Sequence, residues 1–238
     1  MKKLYSILVL FLGVFLIHSC NKDEISTTIT DIDGNVYQTV TIGTQVWMAE
    51  NLKTTKYNDG TAIPLVTNNA AWTNLTTPGY CWYNNDAANK NIYGAMYNGF
   101  TVQTSKLCPT GWHVPAEDEF LILQRYLIAN GYNYDGTTTE NKIAKSMAAT
   151  TRWASSTYTG TPGNVLSSNN SCGFSGLPGG IRVYSGIYYY IENEGYCWST
   201  RTESSNFGYF FSLNYATVGL IESSGPRRSG ISVRCLKD

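Results

Sequence analysis

The cysteines are the residues of this chain with the most reactive side chains. Cysteine thiolates attack electrophiles, bind zinc or form disulfides, and each role needs its own spacing and neighbours. The sequence has no Cys-x-x-Cys pair and no cluster of cysteine with histidine, which argues against a zinc site. Because five cysteines follow Cys20, at least one thiol must stay unpaired or pair outside the chain. These five are Cys81, Cys108, Cys172, Cys197 and Cys235.

Acid–base and metal chemistry have few residues to support them. His113 is the only histidine after Cys20. We favour a structural histidine, hydrogen-bonded near the start of a helix, over a general base. The run Asp31-x-Asp33-Gly34 is typical of a turn, since a calcium loop needs further ligands and a glutamate at its twelfth position. No Gly-x-Ser-x-Gly motif is present. The sequence therefore predicts no catalytic constellation, no metal and no cofactor.

The first residues predict export and a lipid anchor. Lys2 and Lys3 precede the apolar run 4–17, which has the length of a signal-peptide core and is too short to span a bilayer. The residues before Cys20 are Ile-His-Ser, which resembles the lipobox of bacterial lipoproteins. We expect residues 1–19 to be a signal peptide, Cys20 to be lipidated, and residues 20–30 to form a tether that attaches to the membrane. The alternative is a plain secretory signal.

The charges after Cys20 indicate the side of the membrane. Lys22-Asp23-Glu24 resembles the surface-export signal of Bacteroidetes lipoproteins, in which a lysine and two acids follow the lipidated cysteine. We expect an outer-membrane, surface-exposed protein, and the alternative is the periplasmic face. Removal of residues 1–19 takes two lysines from 17 basic residues and none of the 17 acidic residues, which leaves a net charge of −2. Nucleic acid is therefore not an expected partner.

Only part of the chain has clear secondary-structure signals. Residues 36–42 and 46–48 predict a β-hairpin that turns at 43–45. Pro115, an acidic first turn and Gly131 predict a helix over 116–130, and a shorter helix is expected near 139–149. Short strands are expected at 188–191, 207–213 and 230–235. Residues 155–180 show no period and predict a long loop that is either functional or held by side chains.

Seven phrases, taken in order, identify a family resemblance. They resemble the Fibrobacter succinogenes major paralogous domain over residues 31–238. The resemblance implies an α+β, C-type-lectin-like fold: small antiparallel sheets, one or two flanking helices and a long irregular segment that carries most ligand contacts. It implies no reaction. The phrases are DIDGNVYQTVTIGTQVWMAENLKTTKYNDGT (31–61), YCWYNND (80–86), NIYGAMYN (91–98), LCPTGWHVPAEDEF (107–120), GFSGLPGG (173–180), YCWSTR (196–201) and GISVRCLKD (230–238).

The resemblance also assigns roles to the cysteines. It implies a disulfide between Cys108, before the main helix, and Cys235 in the last strand. Cys172 and Cys197 depart from the family pattern, which suggests an added bridge across the variable loop; the alternative is two independent buried thiols. Cys81 matches the family pattern and is left over as a buried, inert thiol.

Binding is then the expected function. Tyr188-Tyr189-Tyr190 is a dense aromatic cluster, in which the resemblance favours Tyr188 pointing inward and leaves Tyr189, with Glu192, as candidates for an exposed patch. Ordinary strand aromatics are the alternative. We expect a surface-anchored, non-catalytic binding or adhesion module whose carbohydrate or protein ligand meets the 150–200 region. The alternatives are an enzyme resembling the formylglycine-generating group, although Cys235 lacks that group's partner cysteine, and a structural envelope component.

Overall fold

The computed structural model describes residues 27–238. The expected signal peptide, Cys20, the export signal at 22–24 and most of the tether lie outside these residues. No helix in residues 27–238 is long and apolar enough to cross a bilayer.

Short strands and a few short helices alternate along the described chain. The strands are β1 (Thr28–Thr30), β2 (Val36–Ile42), β3 (Gln45–Met48), β4 (Tyr80–Cys81), β5 (Met96–Asn98), β6 (Trp112–His113), β7 (Gly179–Arg182), β8 (Tyr188–Ile191), β9 (Glu194–Thr202), β10 (Phe207–Asn214), β11 (Ile221–Pro226), β12 (Gly230–Ile231) and β13 (Leu236–Lys237). The α-helices are α1 (Asn69–Thr73), α2 (Lys90–Tyr93), α3 (Gly99–Val102), α4 (Glu117–Ala129) and α5 (Ala144–Met147). Short 3-10 helices lie at Tyr83–Asn85, Ala87–Asn89 and Leu166–Ser168.

Antiparallel pairing dominates the three sheets, which makes the fold α+β. The first sheet has the order β1-β2-β3-β13-β6, the second β11-β10-β9, and the third β4-β5-β12-β7-β8. The predicted hairpin is confirmed as β2 and β3, joined at Gly43, whose φ of 64° suits a glycine. The strand predicted at 230–235 is shortened to β12 at its start, and the next strand, β13, begins only after the predicted range and belongs to a different sheet.

The main helix, α4, confirms the prediction at 116–130 to within a residue at each end. Its first turn is acidic, and the Glu119 carboxylate accepts a hydrogen bond from the Ala116 amide at 2.7 Å, which caps the helix start. Phe120, Leu123 and Leu127 are buried on the inner face. The ring of Phe120 stacks on Phe211 of β10 with centroids 4.4 Å apart, so the helix is fixed against the second sheet.

The helix expected near 139–149 is reduced to the single turn α5. The Asn133 side chain donates hydrogen bonds to the carbonyls of Thr137 and Thr139, both at 2.9 Å, which occupies acceptors that a helix would need. Glu140 has a φ of 62°, outside the helical region. Local side-chain bonding therefore overrides the apolar spacing that suggested a longer helix.

Two cations, the buried Arg234 and the half-buried Lys145, fix the long irregular segment at 148–178. Arg234 is 1 % exposed, and its guanidinium donates to the carbonyls of Phe174 and Ser175, the latter at 2.6 Å. Lys145 donates to the Asn164 carbonyl and, at 2.8 Å, to the Asn169 side chain. These side-chain hydrogen bonds hold a segment that has no β-strand of its own, which agrees with the prediction of a loop held by side chains.

Candidate functional site

The predicted bridge between Cys108 and Cys235 is confirmed. The two cysteines form a disulfide, with Cα atoms 5.9 Å apart. Both lie in the core, at 3 % and 0 % exposure. The bond joins the segment that leads into β6 and α4 to the segment that leads into β13, so its position indicates a structural role.

The expected bridge between Cys172 and Cys197 does not form. Both are unpaired thiols, as in the alternative of two independent buried cysteines. The Cys172 amide is bonded to the Ser146 carbonyl at 3.2 Å, whereas Cys197 pairs with Phe211 in the β9–β10 ladder. The two cysteines are thus held by different partners, and the structure leaves both sulfurs unpaired.

None of the three thiols in the described chain is activated for nucleophilic chemistry. Burial raises the pKa of Cys172 and of Cys197 to about 11 in each case. Burial also raises the pKa of Cys81, which is completely inaccessible, as expected for the left-over thiol. A nucleophilic cysteine needs the opposite shift, toward a thiolate near neutral pH.

His113 is held on both ring nitrogens. Its Nδ1 lies 2.6 Å from Asp238 Oδ1, and its Nε2 lies 2.9 Å from Glu119 Oε1. Burial lowers the pKa of His113, but the hydrogen bonds to the two carboxylates outweigh it and raise the pKa overall. Because both nitrogens are occupied, the geometry favours the structural interpretation of this histidine.

The Asp31 turn uses its carboxylate internally. Oδ1 accepts hydrogen bonds from the amides of Asp33 and Asn35, both at 2.9 Å, and Oδ2 accepts from the Asn35 side chain at 2.7 Å and the Tyr37 hydroxyl at 2.5 Å. Within residues 27–238, no three histidine, cysteine, aspartate or glutamate side chains are grouped so that they could hold a metal ion.

The predicted patch at Tyr189 and Glu192 lies on the surface, at β8 and the turn after it. Tyr189 is 45 % exposed, and Glu192 is also exposed. Tyr188 is half-buried, its ring 5.2 Å from that of Tyr83. Tyr190 departs from the alternation expected of a strand because its φ is 64°, which leaves it exposed beside Tyr189, with ring centroids 5.8 Å apart. The residues of this patch do not line the cleft described next.

An open cleft of about 370 Å³ lies on the surface of the described chain. This volume lies within the roughly 300–1,000 Å³ of small-molecule sites. Three separate segments bring aromatic rings to it: α3, the turn at 183–187 between β7 and β8, and the start of β10. We call it the aromatic cleft, and it is lined by Phe100, Tyr184, Asn206, Phe207, Pro226 and Arg228.

Two of the aromatic rings in the cleft are exposed to solvent. Tyr184 is 51 % exposed and Phe207 is 42 % exposed. Exposed aromatic rings that come from separate segments and meet at one concavity are typical of a binding site. The turn that carries Tyr184 closes through a 2.8 Å bond from the Gly186 amide to the Val183 carbonyl, with Gly186 at a φ of 86°.

Arg227 supports the cleft from behind. Its guanidinium lies 4.5 Å from the centre of the Phe100 ring and donates to the Ser205 carbonyl at 3.0 Å. Its amide donates to the Asn206 carbonyl at 2.7 Å. The ring on α3 and the loop before β10 are therefore fixed to one arginine.

A second cavity is too small for a ligand. It encloses about 20 Å³ among Cys197, Phe211, Arg234 and the residues around them. This is room for about one water molecule. Two further clefts, of about 220 and 210 Å³, are smaller than usual small-molecule sites. The aromatic cleft is therefore the candidate site, and the sequence had singled out none of its residues for binding. The adjacent arginines 227 and 228, in a Gly-Pro-Arg-Arg-Ser-Gly turn, were the available signal.

The fold and the cleft define an α+β domain with a preformed, aromatic-lined surface site and no activated nucleophile among its described cysteines. The chain belongs to the family of the Fibrobacter succinogenes major domain, whose family model matches residues 40–237. Comparisons with the curated proteins and with the solved structures found no similar chain.

Proposed function

We propose that this chain is a surface-anchored, non-catalytic binding or adhesion lipoprotein that takes a carbohydrate in the aromatic cleft. The observation that carries the proposal is the convergence of Phe100, Tyr184 and Phe207, from three segments, on one open cleft beside Asn206 and Arg228. Flat aromatic faces pack on the apolar faces of sugar rings, and the amide and guanidinium groups bond their hydroxyls.

A C-type-lectin-like fold is part of the proposal. Its support is that the first and last strands of the described domain share a sheet and that a disulfide joins the segment before the main helix to the end of the chain. The region that carries ligand contacts in such folds contains Tyr184.

The proposed location rests on the sequence before residue 27. The lipobox at Cys20 and the charges at 22–24 support an outer-membrane lipoprotein that faces outward. In a Cys20→Ala variant we expect the protein to leave the membrane fraction, and in the unaltered strain we expect protease added to intact cells to remove it. Retention of the variant in the membrane would contradict the anchor, and protection from protease would place the protein on the periplasmic face.

A protein ligand at the exposed Tyr189–Tyr190 patch is the second candidate, favoured by the exposure of both rings. An enzyme of the formylglycine-generating type is disfavoured by the burial and raised pKa of the free thiols. A structural envelope component would form a stable assembly with no soluble ligand.

A glycan array with single-site variants tests the carbohydrate proposal. We expect the unaltered protein to bind a subset of glycans, and Tyr184→Ala or Phe207→Ala to reduce binding at least tenfold. Tyr158→Ala is the matched control, because Tyr158 is 68 % exposed and lies outside the cleft. Tyr189→Ala separates the two candidate surfaces. A blank array, or equal loss from Tyr158→Ala, would refute the cleft as a carbohydrate site.

A further inference from the structure

We propose that the aromatic cleft selects acidic saccharides, with the carboxylate of a uronic acid bound by Arg228. This inference rests on the proposed function and adds a charge to the ligand. It follows from the charges on and behind the cleft, which are positive and unneutralised.

The cleft wall carries a cation and no acid. Arg228 is the one charged residue among those that line it. Glu203 is in the same loop as Asn206 but does not line the cleft. A carboxylate brought to this wall meets a guanidinium and no like charge, whereas a neutral sugar leaves the guanidinium without a counter-charge.

Arg228 is anchored through one nitrogen only. Nη1 donates to the Thr73 carbonyl, at the end of α1, at 2.5 Å. Among the described residues no carboxylate lies within ion-pair distance of its guanidinium. The anchor fixes the direction of the side chain, and the remaining N–H groups are free of protein acceptors. An arginine held in this way presents a planar donor edge that matches a carboxylate.

Two further arginines add positive charge behind the wall. Arg227 supports Phe100, and its Nε is buried with no hydrogen-bond partner in the described chain. Arg182 is fully buried, stacked 4.3 Å from the ring of Trp72, the residue next to Thr73, and bonded only to carbonyl and amide oxygens. Neither has a carboxylate within ion-pair distance among residues 27–238. Arg227 precedes Arg228 in the chain, and Arg182 pairs with Gly230 of β12. Three arginines in this region without an ion-pair partner among residues 27–238 favour an anionic ligand.

The aromatic rings favour a saccharide over other classes of anionic ligand. An inorganic anion or a flexible acidic peptide would use the arginine without needing Tyr184 and Phe207 exposed on either side of the cleft. A uronic acid oligosaccharide uses both features, since its ring faces pack on the aromatics while its C6 carboxylate reaches the guanidinium.

The test uses pairs of oligosaccharides that differ only in charge. Oligogalacturonates and oligoguluronates are compared with the same chains after reduction of each carboxyl group to a primary alcohol. By calorimetry on the whole protein we expect the acidic member of at least one pair to bind at least tenfold more tightly. Its affinity should fall as salt is raised from 0.05 to 0.5 M, because added salt screens a charge pair at the surface.

Arg228→Gln should remove the preference for the acidic member, because it weakens binding of the acidic chain far more than binding of the reduced chain. Arg125→Gln is the matched control, because Arg125 is exposed on α4 and the substitution changes the net charge equally. Tyr184→Ala should weaken both members. Circular dichroism and thermal melts confirm that the variants fold, and the salt series on the unaltered protein needs no variant.

The outcomes separate the two proposals. Equal affinity for the members of every pair, or an unchanged preference in Arg228→Gln, would overturn the acidic-saccharide inference and leave carbohydrate binding standing. Binding of neither acidic nor reduced chains would overturn the inference, and a broad glycan array that is also blank would overturn the proposed function.

Discussion

Removal of the Cys108–Cys235 disulfide should cost this domain a large part of its stability. The two cysteines are 127 residues apart in sequence, so the bond closes most of the described chain into one loop. On the chain-entropy estimate a loop of this length stabilises the folded state by about 4.9 kcal/mol. Domains of this kind have total unfolding free energies of about 5–15 kcal/mol.

Guanidinium unfolding, with and without a thiol-free reductant, measures the effect. The protein carries Cys20→Ala so that no lipid is attached. We expect reduction, or the double substitution Cys108→Ala with Cys235→Ala, to lower the unfolding free energy by about 4–5 kcal/mol. At about 2–4 °C per kcal/mol for a domain of this size, the melting temperature should fall by about 10–20 °C.

Cys172→Ala provides the control because that thiol is buried but unpaired. A core truncation of this kind costs about 0.5–3 kcal/mol and should be insensitive to reductant. A thiol count on the denatured, oxidised protein should give three, for Cys81, Cys172 and Cys197. A count of one would show the second bridge that the structure lacks. A loss of less than 1 kcal/mol on reduction would refute the loop-entropy reasoning.

Two further predictions concern buried or paired cations. Arg234→Met should lower the unfolding free energy by at least about 3 kcal/mol, because three acceptors lose their donor at about 1–3 kcal/mol each. The control Arg125→Met should change the unfolding free energy by less than about 0.5 kcal/mol. Equal effects of the two substitutions in denaturant unfolding would contradict this prediction. The pKa of His113 is raised above its ordinary 6.5 in the folded state. The stability that the protonated His113 contributes is therefore fully present below pH 6.5 and is lost as pH rises through the folded pKa. The unaltered protein should be more stable than the His113→Gln variant by about 0.2–1 kcal/mol at pH 6, and this difference in unfolding free energy should shrink at pH 9. A difference that grows with pH would contradict the pairing of His113 with Glu119 and Asp238.

The parts of the fold that the sequence predicted are those fixed by neighbouring residues. Helix α4 has its proline, its acidic first turn and its terminal glycine within 17 residues of one another, and the β2–β3 hairpin needs only the turn at Gly43. The segments that were mispredicted depend on side-chain bonds and strand pairings that no periodic pattern reveals. The helix expected at 139–149 is shortened by side-chain hydrogen bonds from Asn133, and of the strand expected at 230–235 only Gly230–Ile231 pairs, between β5 and β7.

The candidate site could not be predicted for the same reason. Phe100, Tyr184 and Phe207 are separated by 84 and 23 positions, and no spacing rule joins them. The expected pair of Tyr189 and Glu192 was found by local density of aromatics, which predicts exposure but not concavity. The cleft depends instead on Arg227, which links α3 to the loop before β10.

The way the cleft is held bears on how it would bind. Its residues lie mainly on turns and strand ends, which are mobile in many proteins. Here Arg227 fixes Phe100 and the loop at Ser205, and Thr73 fixes Arg228. Ligand binding would then lose little side-chain entropy at these groups. Immobilising a side chain costs about 0.5–1.5 kcal/mol, and here folding has already ordered them. An Arg227→Ala variant should therefore weaken the binding of acidic and reduced oligosaccharides alike, through a cleft that is less ordered, whereas Arg228→Gln should weaken mainly the acidic member of a pair.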